Sequence, residues 1–131
     1  MTHRRSVRPA LIAATCALGT VGAGTLALTS VADAATTTLH LTANPQGMLM
    51  FNTKKLTAKA GKVTIVLVNP KTSGEPHGVS IEGHGVDKDS KVVKPGKTTS
   101  VTATLKKGKY EFYCPVPGHE AGGMKGTLTV K

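Results

Sequence analysis

Residues 35–131 alternate between short β-branched or apolar segments and clusters of Gly, Pro and Asn, and this pattern limits the fold more than any other feature. Thr36–Thr42, Val63–Val68 and Thr98–Leu105 have the composition and alternation of strands. Further strands are predicted at 48–51, 55–58, 77–81, 110–114 and 126–130. No segment longer than a few residues has helical periodicity. We therefore predict an all-β fold, an antiparallel sandwich of about seven to eight strands.

The first 34 residues differ from the rest of the chain. A basic head containing Arg4 and Arg5 precedes an apolar run from Ala10 to Leu28, and small residues surround position 34. This order is typical of a secretory signal peptide, with cleavage expected between residues 34 and 35. The apolar run is also about long enough to span a bilayer, so an uncleaved membrane anchor is an alternative. The export route, Sec or twin-arginine, is left open by the sequence. We predict one mature domain, 35–131, without a membrane span, in the periplasm, in the cell envelope or secreted.

The mature chain is strongly basic. Loss of three arginines and Asp33 lowers the net charge from +10 to +8, with fourteen lysines against six acidic residues. Lysine is a hydrated point charge that suits diffuse attraction to an acidic partner better than bidentate recognition of phosphate. Export and the lack of aromatic residues among the lysines argue against nucleic-acid binding.

Cleavage would leave a single cysteine. Cys16 belongs to the predicted signal peptide, so Cys114 is then the only thiol of the mature chain. An exported protein with one unpaired cysteine needs an explanation: intermolecular pairing, a reactive thiol or a metal ligand.

The residues that follow Cys114 favour the metal ligand. Cys114, His119 and Met124 fall within eleven residues of a loop rich in Pro and Gly, which lies between two predicted strands. A fourth ligand has to come from elsewhere, and His77 is the best candidate because it begins a predicted strand. His40 and His84 compete for that role, but the first lies in a strand and the second in a Gly-rich turn.

The donor types narrow the metal to copper. Two imidazoles and one thiolate with a weak axial thioether describe a blue copper site. Structural zinc prefers four strong N or S ligands, and iron–sulfur clusters need about four cysteines. Multicopper oxidases and copper nitrite reductases need further His-rich motifs, and this chain has no His-x-His pair. The prediction is therefore one copper ion and no enzymatic activity.

The motifs Pro76-His77 and Tyr113-Cys114-x4-His119-x4-Met124-x-Gly126 resemble those of cupredoxins of the plastocyanin/azurin family, with auracyanin-like spacing. The resemblance implies an eight-stranded Greek-key sandwich and a type 1 site. It also implies a monomeric one-electron carrier between redox proteins outside the cytoplasm. A copper-binding protein for buffering or delivery is the alternative, although the chain has no Met-rich or His-rich cluster of the kind such proteins often use.

The same resemblance implies how a partner docks. The histidine of the Cys-x4-His loop reaches the surface in this family through an apolar patch, which Pro115, Val116 and Pro117 would form here. Lys125 is the nearest lysine in sequence. We therefore predict transient docking of an acidic redox protein around His119, steered by the lysines.

One position departs from the family pattern. The residue after the first histidine is usually Asn, whose side chain bonds to backbone near the cysteine, whereas here it is Gly78. Such bonds orient ligands and tune a metal. From the sequence, replacing Gly78 with Asn is expected to restore the bond and to raise thermal stability.

Overall fold

The computed structural model describes residues 35–131, so the predicted signal peptide lies outside the described residues. The described part contains eight strands. They are β1 (Thr37–Thr42), β2 (Lys55–Ala58), β3 (Gly61–Val68), β4 (Ser80–Gly83), β5 (Val86–Asp89), β6 (Thr98–Leu105), β7 (Gly108–Tyr113) and β8 (Lys125–Val130). This part of the chain has no helix, and therefore none long and apolar enough to cross a membrane.

The strands form two sheets that enclose one apolar core. One sheet has the order β1-β3-β6, and the other has the order β2-β8-β7-β4-β5. Alternate residues of β3 and β6 are buried, as are Phe112 of β7 and Leu128 of β8. Because side chains alternate between the two faces of a strand, one face of each strand supplies the core and the other meets solvent. The prediction of an all-β sandwich is confirmed.

The pairing is not purely antiparallel, and that part of the prediction was wrong. β1 pairs with β3, and β2 pairs with β8, in parallel. β1 lies at an edge of the first sheet and β2 at an edge of the second. A strand's own composition does not reveal the direction of its partner, so the sequence pattern left this undetermined.

Several predicted strand limits also differ from the structure. Residues 48–51 form a bent loop, in which only Phe51 makes an isolated bridge, to Ala43. His77 makes an isolated bridge to Val93 and precedes β4 by three residues. β5 was not predicted, because its sequence Val-Asp-Lys-Asp is mostly charged and the strand is largely exposed at the sheet edge.

Three loops converge at one end of the sandwich, and the second and third of them carry the candidate ligands. They are residues 43–54, residues 69–79 and residues 114–124. Leu49 packs so closely on Gly122 that a β-carbon added there would overlap its side chain. The backbone N–H of Cys114 donates to the carbonyl of Met124 (3.0 Å), which closes the third loop on itself. The fold thus places His77 beside the Cys114–Met124 loop.

Candidate metal centre

A buried polar network holds the loop that leads to His77. The Asn69 side-chain amide donates to the carbonyls of Glu75 and Val93, at 3.0 Å each, and the Ser73 hydroxyl donates to Asn69 Oδ1 at 2.6 Å. His77 exchanges two backbone hydrogen bonds with Val93. Because Asn69 thus ties down both Glu75 and Val93, the His77 backbone is fixed on two sides.

Backbone hydrogen bonds also shape the Cys114–Met124 loop. His119 N–H donates to the carbonyl of Val116, and Met124 N–H donates to the carbonyl of His119, each at 3.0 Å. Cys114 and Met124 are paired directly at the strand ends. The loop therefore turns twice within eleven residues, which directs Cys114 and His119 toward one point.

Three donor atoms meet in a small triangle, and all three residues are buried. Cys114 Sγ lies 3.9 Å from His77 Nδ1 and 3.6 Å from His119 Nδ1, and the two nitrogens are 3.2 Å apart. A point equidistant from these atoms lies about 2.1 Å from each, close to the bond lengths of a transition metal to imidazole or thiolate. The set of two imidazoles and one thiolate fits type 1 copper.

Met124, the fourth predicted ligand, lies at the end of the same loop. Its side chain is fully buried (0% exposed), and its backbone is bonded to both Cys114 and His119. It therefore lies in the same closed loop as two of the predicted ligands. His40 and His84, which competed with His77 as sequence candidates, are exposed and take no part in the cluster.

Burial also sets the protonation of the metal-free donors. Desolvation lowers the pKa of His77, and the neighbouring His119 lowers it further, whereas Glu75 acts in the opposite direction. Burial raises the pKa of the Cys114 thiol, and the backbone N–H groups of Gly78 and Val116, which donate to the sulfur, partly offset this rise. Without a metal, His77 and Cys114 are therefore favoured in their neutral forms.

His119 is the ligand candidate nearest the surface. It is 8% exposed, compared with 1% for His77 and Cys114. Pro117 is exposed beside it, and Pro115 and Val116 are half-buried. His119 is thus the least buried of the three donor residues, and three apolar residues, two half-buried and one exposed, precede it in the loop.

Lys125, the lysine nearest to His119 in sequence, is not an isolated positive charge. Its ammonium lies 3.2 Å from Glu120 Oε1 and 3.7 Å from Glu111 Oε1. Two carboxylates thus offset the charge of this lysine. Residues 35–131 contain two ion pairs, and Lys125 takes part in both. The other thirteen lysines of this range have no carboxylate partner within 4 Å and carry the unbalanced positive charge.

The structure also reverses the expectation for Gly78. A β-carbon at this position would lie 3.2 Å from Pro115 Cγ and 3.2 Å from Ser90 Oγ, which is tighter than ordinary van der Waals contact. Proline has no backbone N–H, so Pro115 cannot donate to an Asn introduced at position 78. Gly78 and Pro115 are therefore complementary: the glycine leaves room for the proline ring.

We expect Gly78→Asn to destabilise the protein. Overpacking a buried position costs about 1–3 kcal/mol, which for a domain of this size lowers Tm by about 5–15 °C. Differential scanning calorimetry of the metal-free protein measures the shift. The control is Gly85→Asn, at a left-handed position (φ 78°) with nothing within 4 Å of an added β-carbon, where Asn is tolerated. A Tm equal to or above the wild-type value for Gly78→Asn would contradict the steric account.

Comparisons with known proteins agree with this donor set. The sequence profile of copper-binding proteins of the plastocyanin/azurin family matches residues 38–131. A segment of 46 residues is 46% identical to the copper-resistant cuproprotein CopI of Pseudomonas aeruginosa, and one of 46 residues is 48% identical to azurin of Pseudomonas fluorescens. These matches cover 34% and 32% of this chain but only 25% and 35% of the two relatives.

Solved structures show the same fold over nearly all of the described residues. Auracyanin B superimposes with a TM-score of 0.65 and 27% identity, covering 75% of this chain and 90% of that protein. A copper nitrite reductase from Nitrosomonas europaea superimposes with a TM-score of 0.61 and 24% identity, covering 74% of this chain but 42% of that protein. The second likeness concerns the fold alone.

Proposed function

The chain belongs to the plastocyanin/azurin family of copper-binding proteins, and from that premise we propose that it is an exported one-electron carrier. We further propose that His77, Cys114, His119 and Met124 hold one type 1 copper ion. The observation that carries the proposal is the closed triangle of three buried donor residues, of which His119 is the most exposed, at 8%. Copper bound there supplies a one-electron couple between Cu(I) and Cu(II).

The surrounding residues suit that role in two ways. His77 and Cys114 are fixed by backbone hydrogen bonds from different loops, so the donor geometry is set by the fold and changes little with the charge of the site. The same burial leaves no open side from which a substrate could reach all three donors. We therefore propose a carrier and not an enzyme.

Export is part of the proposal. The family match begins at residue 38, just after the expected cleavage site, and the described domain begins to form strands at Thr37. Both facts agree with a signal peptide over residues 1–34 and a mature domain over 35–131, in the periplasm, in the cell envelope or secreted.

The alternative function is copper buffering or delivery. The likeness of a 46-residue segment to a protein named as a copper-resistant cuproprotein supports this alternative. The geometry favours the carrier, because a buried site with one narrow edge releases a metal slowly, whereas delivery requires release to a second set of ligands.

We propose that the partner is an acidic redox protein that docks at the His119 edge. The apolar residues around this edge would permit close and brief contact, and the unpaired lysines would attract the partner over a longer range. Lys94 follows Val93, the bridge partner of His77, and so lies near the ligand end, whereas Lys62, at the start of β3, lies at the other end.

We expect the rate of electron transfer to an acidic redox protein to fall as ionic strength rises, because salt screens the attraction. Stopped-flow mixing of the copper-loaded, reduced protein with an oxidised acidic cytochrome measures this rate. Lys94→Glu should slow encounter by about tenfold at low salt, and the matched Lys62→Glu should slow it less, although both remove the same net charge. A rate that rises with salt would contradict the acidic partner, and absence of electron transfer would contradict the carrier.

A further inference from the structure

The ladder beside the metal site contains a bulge. His77 pairs with Val93, and two residues later Val79 receives a backbone hydrogen bond from Ser90 N–H (2.9 Å). One residue, Gly78, therefore lies opposite two, Lys91 and Val92. An extra residue of this kind interrupts the regular pairing, and such bulges often lie beside functional sites.

The side chain of Ser90 supplies a hydrogen-bond partner where the bulge interrupts the backbone pairing. The buried Val79 N–H donates to the Ser90 hydroxyl oxygen at 2.9 Å, and that hydroxyl donates onward to the Lys91 carbonyl at 3.1 Å. A single serine thus fixes both the N–H and the carbonyl of Val79. Without the hydroxyl, this buried N–H would have no partner at the bulge, a state that native structures avoid.

Gly78 occupies the slot that this arrangement leaves. A β-carbon on Gly78 would lie 3.2 Å from Ser90 Oγ and 3.2–3.3 Å from the Pro115 ring, so the Gly78 backbone is held between the two. Its N–H, released from the ladder by the bulge, is one of the two backbone groups that lower the pKa of the Cys114 thiol against the effect of burial. A donor to a thiolate withdraws electron density from the sulfur, which stabilises the reduced metal.

We propose that Ser90 is a positioning residue of the metal site: its hydroxyl fixes the Gly78 backbone against Pro115 and thereby sets the environment of the Cys114 sulfur. The effect passes through Val79 and Gly78, and Ser90 itself does not touch the metal. The inference rests on metal binding by Cys114 but not on the identity of the partner.

The test compares Ser90→Ala, Ser90→Thr and a control, Ser100→Ala, which removes an exposed hydroxyl from β6 of the other sheet. In metal-free protein, Ser90→Ala should speed hydrogen exchange of the Val79 amide by about tenfold or more and shift the Gly78 amide proton. In copper-loaded protein, it should lower the reduction potential. Ser90→Thr keeps the hydroxyl and should retain the wild-type values, as should Ser100→Ala.

The outcomes separate positioning from mere stabilisation. A Ser90→Ala protein that is less stable but keeps the wild-type Gly78 shift and potential would overturn the proposal. Should that variant fail to fold, Gly78→Ala provides the second test, because it keeps the hydroxyl but fills the slot. An unchanged potential in Gly78→Ala would also overturn the proposal, and a shifted one would support it. The amide measurements on metal-free protein do not depend on electron transfer. Failure of the Ser90 proposal can therefore be distinguished from failure of the carrier role.

Discussion

Copper-loaded protein in which Cys114 is replaced by serine is expected to lose its blue absorption completely. The colour of a type 1 site arises from charge transfer between a thiolate sulfur and copper, and Cys114 is the only cysteine of residues 35–131. Serine has nearly the same size and offers only a hydroxyl oxygen. The substitution therefore removes the chromophore with little change in packing. Absorption spectra of the copper-loaded variant and wild type, at equal copper content, measure the effect.

Two histidine variants serve as matched tests of the same donor set. His77→Gln removes a buried ligand candidate and should change the position or intensity of the blue band. His40→Gln removes an exposed histidine of β1 that is absent from the donor triangle, and should leave the band unchanged. A blue band that survives in Cys114→Ser, or that responds equally to both histidine variants, would show that the copper lies elsewhere.

The donor residues could be identified from sequence because ligand chemistry depends on residue type and spacing. Cys114, His119 and Met124 lie in one short loop, so their proximity follows from chain connectivity. His77 is distant in sequence, but it precedes a strand and follows a proline, which favours a loop end. The structure brings His77, Cys114 and His119 together and leaves His40 and His84 outside.

The supporting contacts could not be predicted in the same way, because they depend on tertiary structure. Ser90 lies at the end of the charged edge strand β5, and nothing in its local sequence indicates that its hydroxyl caps Val79. Asn69 had a weak signal, a polar residue at the end of an apolar strand, but its bonds to Glu75 and Val93 depend on the loop path. The ion pairs of Lys125 depend likewise on strand register, which places it opposite Tyr113.

The complementarity of Gly78 and Pro115 shows how a family pattern can mislead at one position. Considered alone, Gly78 is a missing hydrogen bond that a single substitution should restore. In the structure, the glycine and the proline that follows Cys114 have to be interpreted together. The glycine has no side chain that could form the usual hydrogen bond, and the proline has no backbone N–H that could donate to one. The sequence shows that a glycine stands at position 78, but only the packing of the two loops shows that this glycine faces Pro115.

Electron exchange without loss of copper is the second large effect expected of the intact site. Because the donors are held by two loops and buried, their positions should change little between the two oxidation states, and little rearrangement is then needed for an electron to leave. The same burial should make release of the ion slow. A carrier therefore exchanges electrons many times before it loses its copper, whereas a delivery protein releases copper when a competing ligand is present.

The most direct test is the rate of electron self-exchange in a mixture of the reduced and oxidised copper-loaded protein, measured by NMR line broadening with a Cu(I) chelator present. We expect line broadening that grows with protein concentration while the copper content stays constant. Transfer of copper to the chelator before measurable self-exchange would contradict the electron-carrier account and favour copper delivery.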